Sequence, residues 1–265
     1  MSSIIPIYTA ENCRAAYQLD WALSLFANQP LPDHAHWLDE LRTLTECDGV
    51  RILEFRFASE RVLLFLISSL PQVTPSKVVR SVKGRLQHAI RASVPQAFRR
   101  NYRLESVGSA KQNVIEAYVA KQPERHPMAD PRVQQAILAV QIENRHVDLS
   151  AIRYSAHGQF IHNLHVVLES DWRETAAERF EATRDMLQQA SDKHGFLLSR
   201  AGIVADHLHM TLGCGMDDSP QAVALSFMNN LAFTYGMKAI LKFGFYVGTF
   251  GTFDLGAIWE AHRKA

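Results

Sequence analysis

Ala205 to Cys214 read ADHLHMTLGC, two histidines parted by one leucine inside an otherwise apolar run. In an extended chain successive side chains point to opposite faces, so His207, His209 and Thr211 share one face. Leu208, Met210 and Leu212 share the other with Asp206. The apolar set can enter a core while the two imidazoles stand about 7 Å apart along one face. Such a pair suits a divalent metal or a phosphate. It equally suits two surface histidines on a half-exposed strand.

Working outward, the run belongs to a plan that occurs twice. In the first half, Tyr17–Phe26 reads as a strand and His36–Val50 as a helix ending near Gly49. Arg51–Ala58 and Val62–Ser68 form a strand pair. A Thr-Pro-Ser loop then leads to a helix over Ser76–Ala92. After NYRLESVGS comes QNVIEAYVAKQ, a helix stopped by Pro123. In the second half, Ile161–Ser170 is a strand and Arg179–Gly195 a helix. FLLSRAGIV and HLHMTLGC are the strand pair, Asp-Ser-Pro feeds a helix over Gln221–Gly236, and FYVGTFGTFD leads to a closing helix, GAIWEAHRKA. The order predicts an α+β fold of two ferredoxin-like antiparallel-sheet domains forming an internal pseudo-dimer. Their expected bounds are residues 1–128 and 151–265, joined by a linker over 129–150 that reads as a bridging helix.

The whole chain adds bounds. It has 265 residues, with 28 Lys+Arg against 27 Asp+Glu, so global electrostatics name no partner. Cys13, Cys47 and Cys214 lack metal-ligand spacing and suit a reducing cytoplasm. No signal peptide is apparent, and the longest apolar run, Val62–Ile67, is far too short to cross a bilayer. The expectation is a soluble cytoplasmic protein, associated with the nucleoid if it binds DNA.

At ADHLHMTLG and SVGSAKQNVIEAYVAKQ the chain resembles the IS200/IS605-like Y1 (single-tyrosine) transposases, HUH endonucleases acting on single-stranded DNA. The resemblance covers both halves, as a fused tandem of two such domains. The family places a nucleophilic tyrosine on its last helix, with a glutamine four residues later as a metal ligand beside two histidines. Tyr118 and Gln122 match in the first half, on one helical face by their spacing. Anchoring the repeat on Gly108 and Gly251 pairs them with Ala261 and Ala265, so the second half has lost both. Anchoring Gly49 on Gly195 sets His207 and His209 against Arg61 and Leu63; a one-residue shift, favoured by the loops, gives Val62 and Leu64. Each half keeps what the other lacks.

In the family's dimers the tyrosine helix of one subunit can dock on the histidines of the other. The resemblance therefore implies one composite site, with Tyr118 as nucleophile and His207, His209 and Gln122 as ligands to Mg²⁺ or Mn²⁺. It implies a 5′-phosphotyrosine intermediate and hairpin-ended DNA as a possible substrate form. A single tyrosine can nick and rejoin one strand, while exchange of two ends needs a second copy or sequential turnover. Asp206, opposite the histidines by alternation, could bond nearby or serve as an alternate ligand.

From Pro71 to Leu104 there is no acidic residue, while Lys77, Arg80, Lys83, Arg85, Arg91, Arg99, Arg100 and Arg103 all occur. Such a run can neutralise several phosphates, or be only a solvated face. The His-x-His of PDHAHW, at Pro32–Trp37, leads into a helix, where residues two apart diverge; Asp33 reads as a cap there. Two other functions fit parts of the pattern. A catalytically inactive or domesticated transposase fold would bind DNA without cutting it. A 2H-type phosphoesterase needs two His-x-Thr elements, and only His209–Thr211 supplies one.

Overall fold

Glycines end the first long helix of each half. Gly49 and Gly195 take positive φ, 78° and 71°, which a residue without Cβ adopts freely. The second helix of each half starts on a hydroxyl cap followed by proline: Thr74 accepts from the Lys77 N–H, and Ser219 from the Ala222 N–H.

The computed structural model describes residues 5–170 and 177–255. The first half runs β1 (Arg14–Gln18), β2 (Asp20–Ala27), a 3₁₀ turn at His34–His36, α1 (Leu38–Glu46), β3 (Val50–Ser59), β4 (Val62–Ser69), α2 (Pro75–Ile90), β5 (Phe98–Val107) and α3 (Gln112–Ala120). The first half ends with α4 (Gln122–Arg125), and the connector holds α5 (Pro131–Ala139) and the short strand β6 (Ile142–Glu143). The second half runs β7 (Arg153–Tyr154), β8 (Gly158–Ile161), β9 (Asn163–Ser170), α6 (Ala177–His194), β10 (Leu197–Ile203), β11 (His207–Gly213), α7 (Pro220–Thr234) and β12 (Leu241–Phe250). The closing helix expected at GAIWEAHRKA lies outside the described residues.

Two six-stranded sheets result, in the orders β3-β4-β2-β5-β8-β7 and β1-β12-β9-β11-β10-β6. Four neighbouring strands of each, β3-β4-β2-β5 in front and β10-β11-β9-β12 in the rear, are antiparallel in ferredoxin-like order, and the last of each set, β5 and β12, completes the α+β lobe. Trp21, Leu63, Phe65, Val78 and Leu86 form the core of the front lobe. Leu164, Val166, Leu208, Met210, Phe227 and Leu231 form that of the rear lobe.

The leading strand of each half crosses to the other sheet. Tyr17–Phe26 is two strands, switching sheets at Leu19: β1 pairs parallel with β12 of the rear sheet, while β2 stays in front. Ile161–Ser170 likewise breaks at His162, with β8 parallel to β5 of the front sheet and β9 in the rear. Each sheet thus holds strands from outside its own half: β7 and β8 lie in the front sheet, and β1 and β6 in the rear.

The contacts between lobes are reciprocal. The Ser106 hydroxyl donates to the Phe250 carbonyl at 2.7 Å and accepts from the Asn163 N–H at 3.0 Å. The Thr249 hydroxyl donates to the Val107 carbonyl at 2.6 Å and accepts from the Asp20 N–H at 2.7 Å. Bridges Gly108–Asp254 and Lys111–Gly251 form a second matched pair. Ser76 N–H to Met216 carbonyl and Gln221 N–H to Pro71 carbonyl, both 2.9 Å, form a third.

Candidate functional site

The ladders fix which residues correspond between lobes. In front, Asp20 pairs with Ser68 and Phe26 with Val62; in the rear, Asn163 pairs with Gly213 and Glu169 with His207. Asp20 and Asn163 also face Val107 and Phe250, the residues before the matched glycines. Val62 and Leu64 therefore hold the positions of His207 and His209, the second of the two registers open in the sequence. Farther along β4, Leu66 and Val107 of β5 pack with Ala22, Phe253 and Leu255, an apolar patch.

The tyrosine helix of the front lobe lies on the rear sheet. The Gln112 N–H, unpaired within α3, donates to the Gly251 carbonyl at 2.9 Å, so the rear lobe caps this helix. Glu116 accepts from the Ser199 hydroxyl at 2.6 Å. Val119 is fully buried, and its carbonyl sits where a Cβ on Gly202 of β10 would come within 2.6 Å. Only glycine permits that approach.

This docking brings residues from opposite halves together. The Tyr118 ring stands edge-on to His209, centroids 5.3 Å apart at 81°, with His165 at 6.3 Å. Tyr118 keeps 36% of its surface exposed. Gln122 is fully buried; its Oε1 lies 3.3 Å from His207 Nε2, and its amide N–H donates to the Tyr118 carbonyl at 3.2 Å. The helix did not end at Pro123 as the sequence suggested. It breaks two residues earlier, after Ala120, and Pro123 lies in the first turn of α4, where its missing N–H costs nothing. Tyr118 and Gln122 thus sit on successive short helices rather than one.

The imidazoles converge more than extended spacing implies: the His207 and His209 ring centroids are 4.9 Å apart, not about 7 Å. Asp206 precedes β11, so strand alternation does not govern it. Its carboxylate turns back onto His207 Nδ1 at 2.6 Å.

Three groups escaped the sequence reading. His165, on β9 beside β11, places Nε2 2.9 Å from His209 Nδ1. Arg125 lies over the Tyr118 ring at 4.8 Å, and His126 stands edge-on to His207 at 4.7 Å. The signal for His126 was present: Tyr118, Gln122 and His126 recur every four residues. Burial holds His209 down to about 3, helped by its histidine neighbours, and His165 to about 4, so both are neutral near pH 7.

A cation fits the donor set. With Asp206 accepting the His207 Nδ1–H, Nε2 carries a lone pair facing the Gln122 carbonyl oxygen. In that tautomer a cation between the two acceptors, 3.3 Å apart, would satisfy both. His126, Asp206 and His207 also offer ligand atoms within 4.8 Å of one another.

The basic run divides in two. Arg85 forks onto Asp48 at 2.7 and 2.8 Å, holding that carboxyl at about 2. Lys83 Nζ donates to the Arg99 and Arg100 carbonyls, and Arg103 pairs with Glu105. Lys83, Arg85 and Arg103 are therefore engaged in holding the lobe. Arg80 and Arg100 line a 490 Å³ cleft with Tyr102 and His157. It adjoins a 450 Å³ cleft edged by Tyr154, which is 74% exposed on the β7–β8 hairpin. Lys77 opens onto the α1–α2 groove beside Asp48, and Arg91 and Arg99 lie on the surface. In PDHAHW, Asp33 caps the 3₁₀ turn through the Ala35 N–H, with His34 and His36 exposed.

Residues 39–122 match the family model described as transposase IS200 like. The matched stretch opens at α1 and closes on Gln122, so it contains Tyr118 and stops before the histidine pair. A solved structure of a proposed transposase from Deinococcus radiodurans R1 is 19% identical, over 40% of this chain and 92% of that one, with a TM-score of 0.32. A proposed glycine cleavage system transcriptional repressor is 12% identical, over 88% of this chain and 98% of that one, with a TM-score of 0.23. No curated protein matches the chain. Among the described residues, no helix is long and apolar enough to cross a membrane.

Proposed function

We propose that this chain is a single-stranded DNA endonuclease and strand transferase with one composite site, built as a fused pair of transposase-like domains. The observation that carries the reading is the meeting of Tyr118 and Gln122 from one half with His207 and His209 from the other. An inactive fold has no need to keep one full set while losing the other.

In this reading the Tyr118 hydroxyl oxygen attacks phosphorus. The bond from phosphorus to the 3′ oxygen breaks, giving a 5′-phosphotyrosine and a free 3′-OH that takes up the proton. The covalent link stores the bond energy, so a 3′-OH can later rejoin the strand without ATP. His207, His209 and Gln122 would hold Mg²⁺ or Mn²⁺, which supplies Lewis-acid polarisation of the phosphate. Two imidazoles and one amide favour Mn²⁺ at least as much as Mg²⁺. Arg125 supports the site by keeping a guanidinium beside the nucleophile's ring. DNA would run along the front lobe, over the cleft of Arg80, Arg100, Tyr102 and Tyr154, where cations and aromatic faces lie together.

The test uses a 3′-labelled pool of random single-stranded oligonucleotides with Mn²⁺, resolved on a denaturing gel. A labelled protein band that vanishes in Tyr118→Phe is expected. Cleavage that survives Tyr118→Phe would favour the phosphoesterase, and binding without cleavage the inactive fold.

A further inference from the structure

We propose that His165 is a positioning residue that fixes the tautomer of His209, keeping its Nε2 free of a proton. The purpose of this role rests on the metal reading above, but the tautomer itself does not.

His165 Nε2 and His209 Nδ1 lie 2.9 Å apart, with the ring planes inclined by only 16° and the centroids 5.2 Å apart. That is one hydrogen bond between two nearly coplanar rings. An N···N contact of this length holds one proton, so one ring must donate and the other accept. If His165 donated, His209 would carry its proton on Nε2 and offer no lone pair there. If His209 donates from Nδ1, its Nε2 is bare.

The neighbouring histidine indicates which arrangement holds. His207 Nδ1 is also taken by an acceptor, the Asp206 carboxylate at 2.6 Å, and its Nε2 faces Gln122. Both histidines thus have Nδ1 engaged on the side away from Nε2. The acceptors differ because the surroundings differ. Asp206 is exposed and can hold a charge, whereas His209 is only 5% exposed and His165 is largely enclosed. A neutral acceptor avoids the cost of an unsolvated carboxylate there.

The other lobe gives independent support. His165 pairs with Thr211 as Ala22 pairs with Leu66, so Ala22 holds the position of His165 in front. The lobe whose histidine positions are Val62 and Leu64 lacks the partner as well.

The test compares His165→Leu with His165→Gln, whose side-chain oxygen can accept where Nε2 does. In metal-free protein, ¹⁵N shifts of His209 should report a protonated Nδ1 and a bare Nε2, kept in His165→Gln and mixed in His165→Leu. Calorimetric Mn²⁺ titration should then show Kd raised about 10- to 100-fold in His165→Leu, the usual effect of losing such a partner. His165→Gln should stay within about threefold of wild type by the same reasoning, with thermal melts confirming that both variants fold. A wild-type His209 protonated on Nε2 overturns the proposal, as does equal weakening in both variants. The expected tautomer in a protein that binds no Mn²⁺ would uphold the role of His165 and sink the metal reading instead.

Discussion

Ser106 and Thr249 make the same bonds from opposite sides of the lobe junction, each donating its hydroxyl to the backbone preceding the other lobe's glycine. Matched patches meeting at one junction have the self-complementary geometry of an isologous contact. The match ends where chemistry begins: one junction presents Tyr118 to histidines, while the corresponding strand in front carries Val62 and Leu64 in their place. The shared frame and the unequal sites are separable in experiment.

The frame depends on Gly108 and Gly251. A Cβ on Gly108 would run into the Thr249 carbonyl, and one on Gly251 into the Ser106 carbonyl. Backbone cannot swing aside as a side chain can, so Gly108→Ala or Gly251→Ala should cost about 2–4 kcal/mol. Gly84 lies inside α2 with open space around its Cβ position, and Gly84→Ala should gain up to about 1 kcal/mol. Urea titrations of the three variants would decide. Wild-type stability in both junction variants would remove the tight approach as the holding device.

Acid sensitivity should come from histidines kept neutral. Burial holds His162 at about 3, and its one bonded nitrogen, Nδ1, lies 2.8 Å from the Gly215 carbonyl. Folded values below the unfolded 6.5 mean that the unfolded chain takes up protons first as pH falls. Stability is complete above about pH 6.5 and declines from there towards the folded values, by up to about 1.4 kcal/mol per pH unit for each such group. His162, His165 and His209 all act in this direction. His162→Asn retains a donor for Gly215 and does not titrate. Its stability should fall with pH less steeply than wild type between pH 6.5 and 4.5, by about one group's share. An unchanged slope would mean that His162 is not neutral in the fold.

Nucleic-acid affinity should follow the free cations rather than the whole basic run. Replacing Arg80 and Arg100 together with alanine should weaken single-strand binding and reduce the salt slope by about 1.4, at about 0.7 per phosphate contact. Arg132 is tied to Asp130 in the connector, and Arg132→Ala should leave the slope unchanged. Fluorescence anisotropy of a labelled oligonucleotide across a salt series separates the cases. A double variant with the wild-type slope would place the DNA elsewhere.

The sequence carried the duplicated plan, the helix caps and the tyrosine and histidine motifs, because each depends on residues close in the chain. Thr74-Pro75 and Ser219-Pro220 announce their helices locally. The strand exchange did not show. β1 and β2 are parted by Leu19 alone, and nothing in that residue says that its neighbours join different sheets. His165 was hidden for a similar reason. It meets His209, 44 residues away in sequence, across the β9–β11 ladder, and only the register between those strands reveals which side chains lie together. Arg85 and Lys83 read as free charge because Asp48 lies outside the basic run and a backbone carbonyl such as that of Arg99 leaves no mark in a sequence.

The β7–β8 hairpin offers the last test, since it belongs to the second half and lies on the front sheet. Tyr154 is largely exposed there, next to Tyr102, Arg100 and His157. An exposed ring beside the Arg100 guanidinium gains little for the fold, yet a nucleobase can stack on it whatever its sequence. Stacking is worth about 1–3 kcal/mol per base, so Tyr154→Ala should weaken single-strand binding at least about fivefold. Tyr154→Phe keeps the ring face and should bind as wild type does. Because the hydroxyl and the ring are lost separately, equal weakening in both variants would point to a hydrogen bond, and no weakening in either would take the hairpin out of the DNA path. Thermal stability should not move in either variant, since the ring covers almost nothing.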